Sequence, residues 1–326
     1  MTCVIVFYHC PKPDGTFALG PFDDYMNNQI SYMVSVMGTL AMSYFFTVTG
    51  FLMFHNLSWN NYLKKIKKRI FSLLIPYVLW QCIIVVIDIV QKQYVFSMPD
   101  FLNKTFCLVA WPIDGAMWYV YAVFLMALIS PILLLLFKNK KIGWFFILAV
   151  VILVEVREQI SNPVIIQIIT HGYVSNILFY LPCYLVGAFY GKFSDENTGS
   201  DFLIYTLSVI FMAFLLEGIS NGMLSRTTIK MMPMAILYLL PLYSVLKDKK
   251  IYKFSFLMYA IHQPLIGDLW SPVIRFYGKV ALPASVYNVF TRVVILLIDM
   301  TLAALIYMVL KRFLPKTLKC LTGNRL

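Results

Sequence analysis

The chain has 326 residues, 60% of them hydrophobic and only 13% charged, with a formal net charge of +12. A water-soluble globular domain runs nearer half apolar and a quarter charged, so the composition excludes a soluble enzyme and makes lipid the solvent. The six cysteines are scattered with no C-x-x-C pair, so neither a zinc site nor a disulfide framework is signalled.

The first element is the run "MTCVIVFYHC", apolar from Met1 to His9 and closed by Pro11. Nine helical residues rise about 13 Å, under half of a hydrocarbon core about 30 Å thick. The run also lacks the basic leader and small-residue cleavage site of a secretory signal. It is expected to be the outer end of a truncated first span. Further apolar runs follow at Ile30–Phe54, Ile70–Val90, Met117–Phe137, Gly143–Val156, Val174–Tyr190, Phe202–Ile219, Met231–Leu246, Phe254–Ile274 and Val289–Leu310. The fourth and seventh of these are short, and a tilted or re-entrant course suits them. The expectation is an all-α, polytopic transmembrane helix bundle of about ten spans, forming a single domain over residues 1–326.

Lys and Arg accumulate in cytoplasmic loops and so test the scheme. With Met1 inside, the inner loops carry "NYLKKIKKRI", "KNKK", "GK", "KDKKIYK" and the basic tail, which together hold 18 of the 27 Lys and Arg residues. Both termini are then cytoplasmic in a multi-pass protein of the cell membrane. The basic charge needs no nucleic-acid partner; contact with membrane lipid accounts for it.

Ionisable side chains inside a bilayer are costly and tend to face a bundle interior or a wet cavity. The candidates are His9, Asp88, Glu155, Arg157, Glu217, His262, Asp268, Arg292 and Asp299. Glu155, Arg157, Glu217 and Arg292 fall near predicted helix ends, where long side chains snorkel to the interface. Asp88 and Asp299 fall deeper, where a structural ion pair and a catalytic role are equally open. His9 and His262 stand in apolar, aromatic surroundings, "VIVFYHC" and "FLMYAIHQP". Their reference pKa lies nearest neutrality, which suits proton exchange, although a hydrogen-bonded packing histidine has the same appearance. His55 and His171 fall in predicted loops. The remaining stretch of interest, "FFTVTGFLMFHNLSWNNYLKKIKKRIFSLLIPYVLW", combines Gly50, which permits close backbone approach, with Lys64, Lys65, Lys67, Lys68 and Arg69. Such a cluster serves topology and anionic lipid, or it seats a phosphorylated ligand.

In order and spacing, "VIVFYHC", "FFTVTGFLMF", "YLKKIKKRIFSLLIPYVLW", "MWYVYAVFLMALISPIL", "FYLPCYLVGAFYGK" and "FSFLMYAIHQPLI" resemble the membrane acyltransferase-3 family, polytopic bacterial enzymes that O-acylate surface saccharides. The resemblance covers nearly the whole chain. It puts His9 at the family's catalytic histidine position. It puts Lys68 and Arg69, with Lys65 beside them, at the basic motif that meets the phosphates of acyl-CoA. Trp118, Tyr119, Tyr259 and His262 fall on other motif positions, with Ser255 opening the last stretch and Gly50 a further pocket candidate. Two departures stand out: the family's arginine earlier on the first helix would precede Met1, and its second basic-motif arginine is Ser72 here. The implied activity is O-acyl transfer, acetyl above all, from acyl-CoA as donor to a polysaccharide or its lipid-linked glycan precursor, with no resident cofactor or metal. Two other readings stay open: a lipid or glycan transporter without covalent chemistry, and an inactive truncated member. The chain shows no repeat of broken hydrophobic segments such as transporters carry.

Overall fold

The computed structural model describes residues 1–10, 19–106, 110–156, 173–193, 199–220, 230–233, 253–277 and 282–324. Arg157, His171, residues 234–246 of a predicted span, and the side chains of Glu155 and Glu217 lie outside the described residues. Among those described, the regular structure is helical throughout, without strands. The helices are α1 (Thr2–His9), α2 (Pro21–Phe54), α3 (Tyr62–Val90), α4 (Met98–Phe106), a 3₁₀ turn (Gly115–Met117), α5 (Trp118–Leu128), α6 (Ser130–Leu136), α7 (Lys140–Val156), α8 (Val174–Lys192), α9 (Gly199–Ser220), α10 (Ser255–Tyr277), α11 (Ala284–Phe313) and α12 (Pro315–Thr322). Four of them, α2, α3, α8 and α11, are long and apolar enough to cross a membrane. The pair α5 and α6 makes a fifth if it is counted as one span bent by 51°.

Local chemistry explains the departures from straight spans. Helix α2 starts with Pro21 in its first turn and Asp23 and Asp24 close behind, a pre-set φ and two carboxylates at the positive end of the helix dipole. Its 34 residues reach about 51 Å, so it runs well past a hydrocarbon core. Helix α3 contains a π-turn at Ile70–Leu74, with the Ile75 amide bonded to the Ile70 carbonyl. Pro76 follows directly; its ring would crowd the carbonyl four residues back, at Ser72, and the widened turn relieves that clash. The bend between α5 and α6 falls at Pro131, which has no amide to donate, and the Ser130 hydroxyl takes up the Ala127 carbonyl. Helix α12 closes on Gly323 at φ +62°, with Gly323 N bonding Cys320 O and Asn324 N bonding Lys319 O, the paired bonds of a Schellman cap. Helix α4 is fixed by the Tyr94 hydroxyl donating to Asp100 at 2.6 Å and by the Lys104–Asp100 pair at 3.0 Å. The Tyr94 bond, then Lys104, holds the Asp100 carboxyl below its ordinary range.

The chain divides into two compact units. Unit 1 comprises Met1–Ala41, Asp114–Met117 and Asp248–Leu326; unit 2 comprises Met42–Ile113 and Trp118–Lys247. In unit 1 a polar seam joins the first half of α2 to α11. Asp23 accepts from the Ala284 amide at 2.7 Å, the Ser285 amide at 3.0 Å and the Ser285 hydroxyl at 2.5 Å. One turn on, the Asn288 amide donates to Asn27 Oδ1 at 2.7 Å and to Ser31 Oγ at 3.0 Å. On other faces of α11, Leu297, Leu305, Met308 and Val309 stay exposed, as side chains meeting lipid would.

Unit 2 is held by close helix approach. A Cβ on Gly50 would meet the Tyr184 carbonyl of α8, one on Gly187 the Thr47 carbonyl of α2, and one on Gly191 the Phe51 carbonyl. Gly187 and Gly191 make the small-x-x-x-small spacing that lets membrane helices pack backbone to backbone.

The expectation that Arg292 snorkels is corrected: it lies in the third turn of α11 and is 3% exposed. Asp88 is not deep, since it is half-buried two residues from the end of α3. Asp299 is fully buried.

Candidate functional site

Helix α1 has only eight residues, too few to persist alone in water, so tertiary contacts in unit 1 decide where it ends. Val6 and Cys10 enter a small apolar cluster with Ile266 of α10 and Ile295 of α11. Gly38 of α2 leaves room for the Tyr8 ring, which a Cβ would overlap at 2.5 Å. Of the last-turn carbonyls, Val6 O accepts locally from the Cys10 amide at 3.2 Å and from Cys10 Sγ–H at 3.3 Å, while Phe7 O, left without a partner by the end of the helix, accepts from Arg292 Nη1 of α11.

His9 follows at once, half-buried, with its ring centroid 5.1 Å from that of His262 and the ring planes 47° apart. His262 is on α10 and fully buried. Its Nδ1 lies 2.7 Å from the Tyr259 carbonyl oxygen. A carbonyl oxygen only accepts, so the proton is assigned to Nδ1, and the neutral ring keeps its lone pair on Nε2. That Nε2 is buried and has no hydrogen-bond partner among the described residues. A buried acceptor left open in this way costs free energy, and chemistry is one reason to retain it.

The Tyr259 ring lies 5.6 Å from His262, and its hydroxyl donates to the Ala116 carbonyl of the 3₁₀ turn. That turn is shaped by Asp114, whose Oδ1 accepts from the Ala116 amide at 3.1 Å. Gly115, next to it, gives Gln263 its place: a Cβ there would lie 2.8 Å from the Gln263 amide. Ser255 is half-buried at the start of α10, two turns before His262.

Unit 1 therefore brings together His9, Tyr259 and His262. Ser255 belongs to the same unit, whereas Gly50, the basic cluster, Trp118 and Tyr119 belong to unit 2. Lys64, Lys67 and Lys68 are exposed in the first turns of α3, with Lys65 and Arg69 half-buried. Lys65 Nζ is engaged: it donates to Met53 O at 3.0 Å and to His55 O at 2.5 Å, which caps the carboxyl end of α2 as a cation can. Lys68 and Arg69 have no hydrogen bond or ion pair among the described residues. The Tyr119 hydroxyl pairs with Thr49 Oγ1 at 2.8 Å and donates to Phe45 O at 3.1 Å. Trp118 is buried in an aromatic cluster with Phe46, Tyr180 and Trp111. The space beside Gly50 is filled by the Tyr184 carbonyl, so Gly50 serves helix packing.

Sequence reasoning missed Gln263, whose Oε1 is buried without a hydrogen-bond partner among the described residues, and Lys230, fully buried with its ammonium over the Phe179 ring. A polar residue directly after His262 was a visible signal for the first. Lys230 stands in a polar stretch that reads as a loop.

Apolar spans and two imidazoles in contact, one buried and one half-buried, fit an integral membrane enzyme whose chemistry moves protons. The chain matches the acyltransferase-3 family, described as an acyltransferase domain, over residues 2–309, and it belongs to that family. It is thus an acyltransferase of the membrane. No curated protein and no solved structure matches it significantly.

Proposed function

We propose that the protein transfers an acyl group, acetyl above all, from acyl-CoA to a hydroxyl of a cell-surface polysaccharide or its lipid-linked precursor. The observation that carries this reading is the His9–His262 pair, two neutral-capable imidazoles 5.1 Å apart in an apolar setting. A thioester is already activated, so its transfer to an alcohol needs removal of one proton and support for the oxyanion. His9, the partly accessible member, is the general base. His262, locked in one tautomer by Tyr259 O, offers Nε2 to an N–H of His9 and so turns the other His9 nitrogen toward substrate, the orienting role of a third group in a triad. The base takes the hydroxyl proton as the oxygen forms its bond to the thioester carbonyl carbon. The intermediate then breaks its C–S bond, and the proton returns to the departing thiolate.

Lys68 and Arg69, which have no hydrogen bond or ion pair among the described residues, are the donor's phosphate seat in this reading, whereas Lys65 is spent on α2. The whole chain acts as one domain of about ten spans in the cell membrane, with both termini cytoplasmic. Helices α1, α7, α9 and α10 supply further spans in this reading.

The test is acetyl transfer and thioester hydrolysis with labelled acetyl-CoA, using protein in detergent or vesicles. His9→Ala is expected to lower kcat by at least about 10²-fold, the usual worth of a positioned base, while insertion and thermal unfolding stay unchanged. A His9→Ala protein at full rate would remove His9 from the mechanism.

A further inference from the structure

Arg292 is the best-connected buried charge in unit 1. It is 3% exposed, yet no carboxylate among the described residues pairs with it. Asp299 lies seven residues further along the same helix, about 10 Å along its axis, and neither of its oxygens has a hydrogen-bond partner among the described residues. An unpaired guanidinium within membrane helices is costly and points to a function.

Its bonds show where the charge acts. Nε donates to Asn288 Oδ1 at 2.7 Å, and Nη1 donates to Phe7 O in the last turn of α1. Asn288 is itself pinned to Asn27 and Ser31 of α2. A single run of hydrogen bonds thus passes from α2 through α11 to the backbone two residues before His9. The planar fork explains the choice of arginine, because one rigid group bonds two acceptors in fixed directions where a lysine offers a flexible point charge. Helix α1 ends there, so without this bond the His9 backbone depends on apolar contacts, which are not directional.

We propose that Arg292 is a positioning residue for acyl transfer: it fixes the end of α1 so that His9 is held against His262. The proposal rests on the reading of His9 as the base, and it adds a residue that never touches substrate.

Arg292→Gln, Arg292→Lys and Asn288→Ala are compared with the parent protein, using acetyl-CoA and a glycan acceptor. A misplacement of about 1 Å costs on the order of 10²-fold in rate, so Arg292→Gln should lose about that much kcat with KM for acetyl-CoA unchanged. Arg292→Lys should recover part of the loss, because it restores a donor to Phe7 O. Asn288→Ala, which keeps the charge and removes its brace together with the Asn288 bonds to α2, should fall between Lys and the parent. Full kcat in Arg292→Gln overturns the proposal, as does a loss confined to KM. If Arg292→Gln does not fold, Asn288→Ala decides, and an unchanged kcat there overturns the proposal. His9→Ala run alongside separates the two ideas: activity there removes the base, whereas an inactive His9→Ala beside a fully active Arg292→Gln removes Arg292 alone.

Discussion

Asparagine in place of His262 separates a chemical histidine from a packing one. The Asn Nδ2 stands at the same bond count from Cα as His Nδ1, so His262→Asn can keep the 2.7 Å bond to Tyr259 O while deleting Nε2. Deleting Nε2 strands no partner, because that atom makes no hydrogen bond among the described residues. The lost ring volume, about 40 Å³, costs about 1 kcal/mol as a cavity. The Asn side chain exchanges the open acceptor Nε2 for another, Oδ1, and adds a second N–H, so nothing offsets the cavity and stability should fall by about 1–3 kcal/mol. Rate should respond very differently. If Nε2 orients His9 during proton transfer, kcat falls about 10²–10⁴-fold, or about 3–5 kcal/mol at 1.36 kcal/mol per decade. The assay pairs acetyl transfer from labelled acetyl-CoA with thermal unfolding of the same preparation. A His262→Asn protein within about threefold of the parent rate would refute the pairing and return His262 to packing.

The basic helix should divide by function. Lys68→Ala with Arg69→Ala is expected to raise KM for acetyl-CoA by about 10²-fold or more with little change in unfolding, since each charge-assisted contact is worth about 1.5–3 kcal/mol. Lys65→Met should do the reverse, lowering stability by about 1–3 kcal/mol as two carbonyls at the end of α2 lose their donor, with KM unchanged; thermal unfolding and a donor titration check both. Gly187→Val should lower the unfolding temperature most, because its Cβ meets backbone at Thr47 rather than a movable side chain. An overpacked site of this kind costs about 1–3 kcal/mol or more, and an unchanged unfolding temperature would contradict the close approach of α2 and α8.

What the sequence conveyed, and what it did not, follows from which forces are local. Apolar runs located most helices because hydropathy is a property of the segment itself: Val174 opens α8 in both readings, and Val90 closes α3 in both. Hydropathy cut α3 short at Ile70, however. The Lys cluster lowers the average, although helix geometry runs on through it from Tyr62. Pro131 marked the break between α5 and α6 in plain letters, yet a window average over Met117–Phe137 smooths it away. The candidate site was legible as residue types, through the two histidines in apolar company. Their pairing was not, because a contact across so many intervening residues leaves no periodicity in either segment. Arg292 was misjudged for a related reason. Its neighbours in sequence say helix end, and only the packing of α1 against α11 shows what its guanidinium reaches.

The order of synthesis gives unit 1 a temporal property. His9 is made before its partners, with 252 residues between His9 and His262. At ordinary translation speeds of about 5–20 residues per second, roughly 10–50 s separate the two on the ribosome. During that interval α1 has no α10 or α11 to rest against, and the proposed base stands without its partner. The histidine pair therefore comes into being only as α10 and α11 insert, so on the proposed mechanism a nascent chain stays inert until those helices are made.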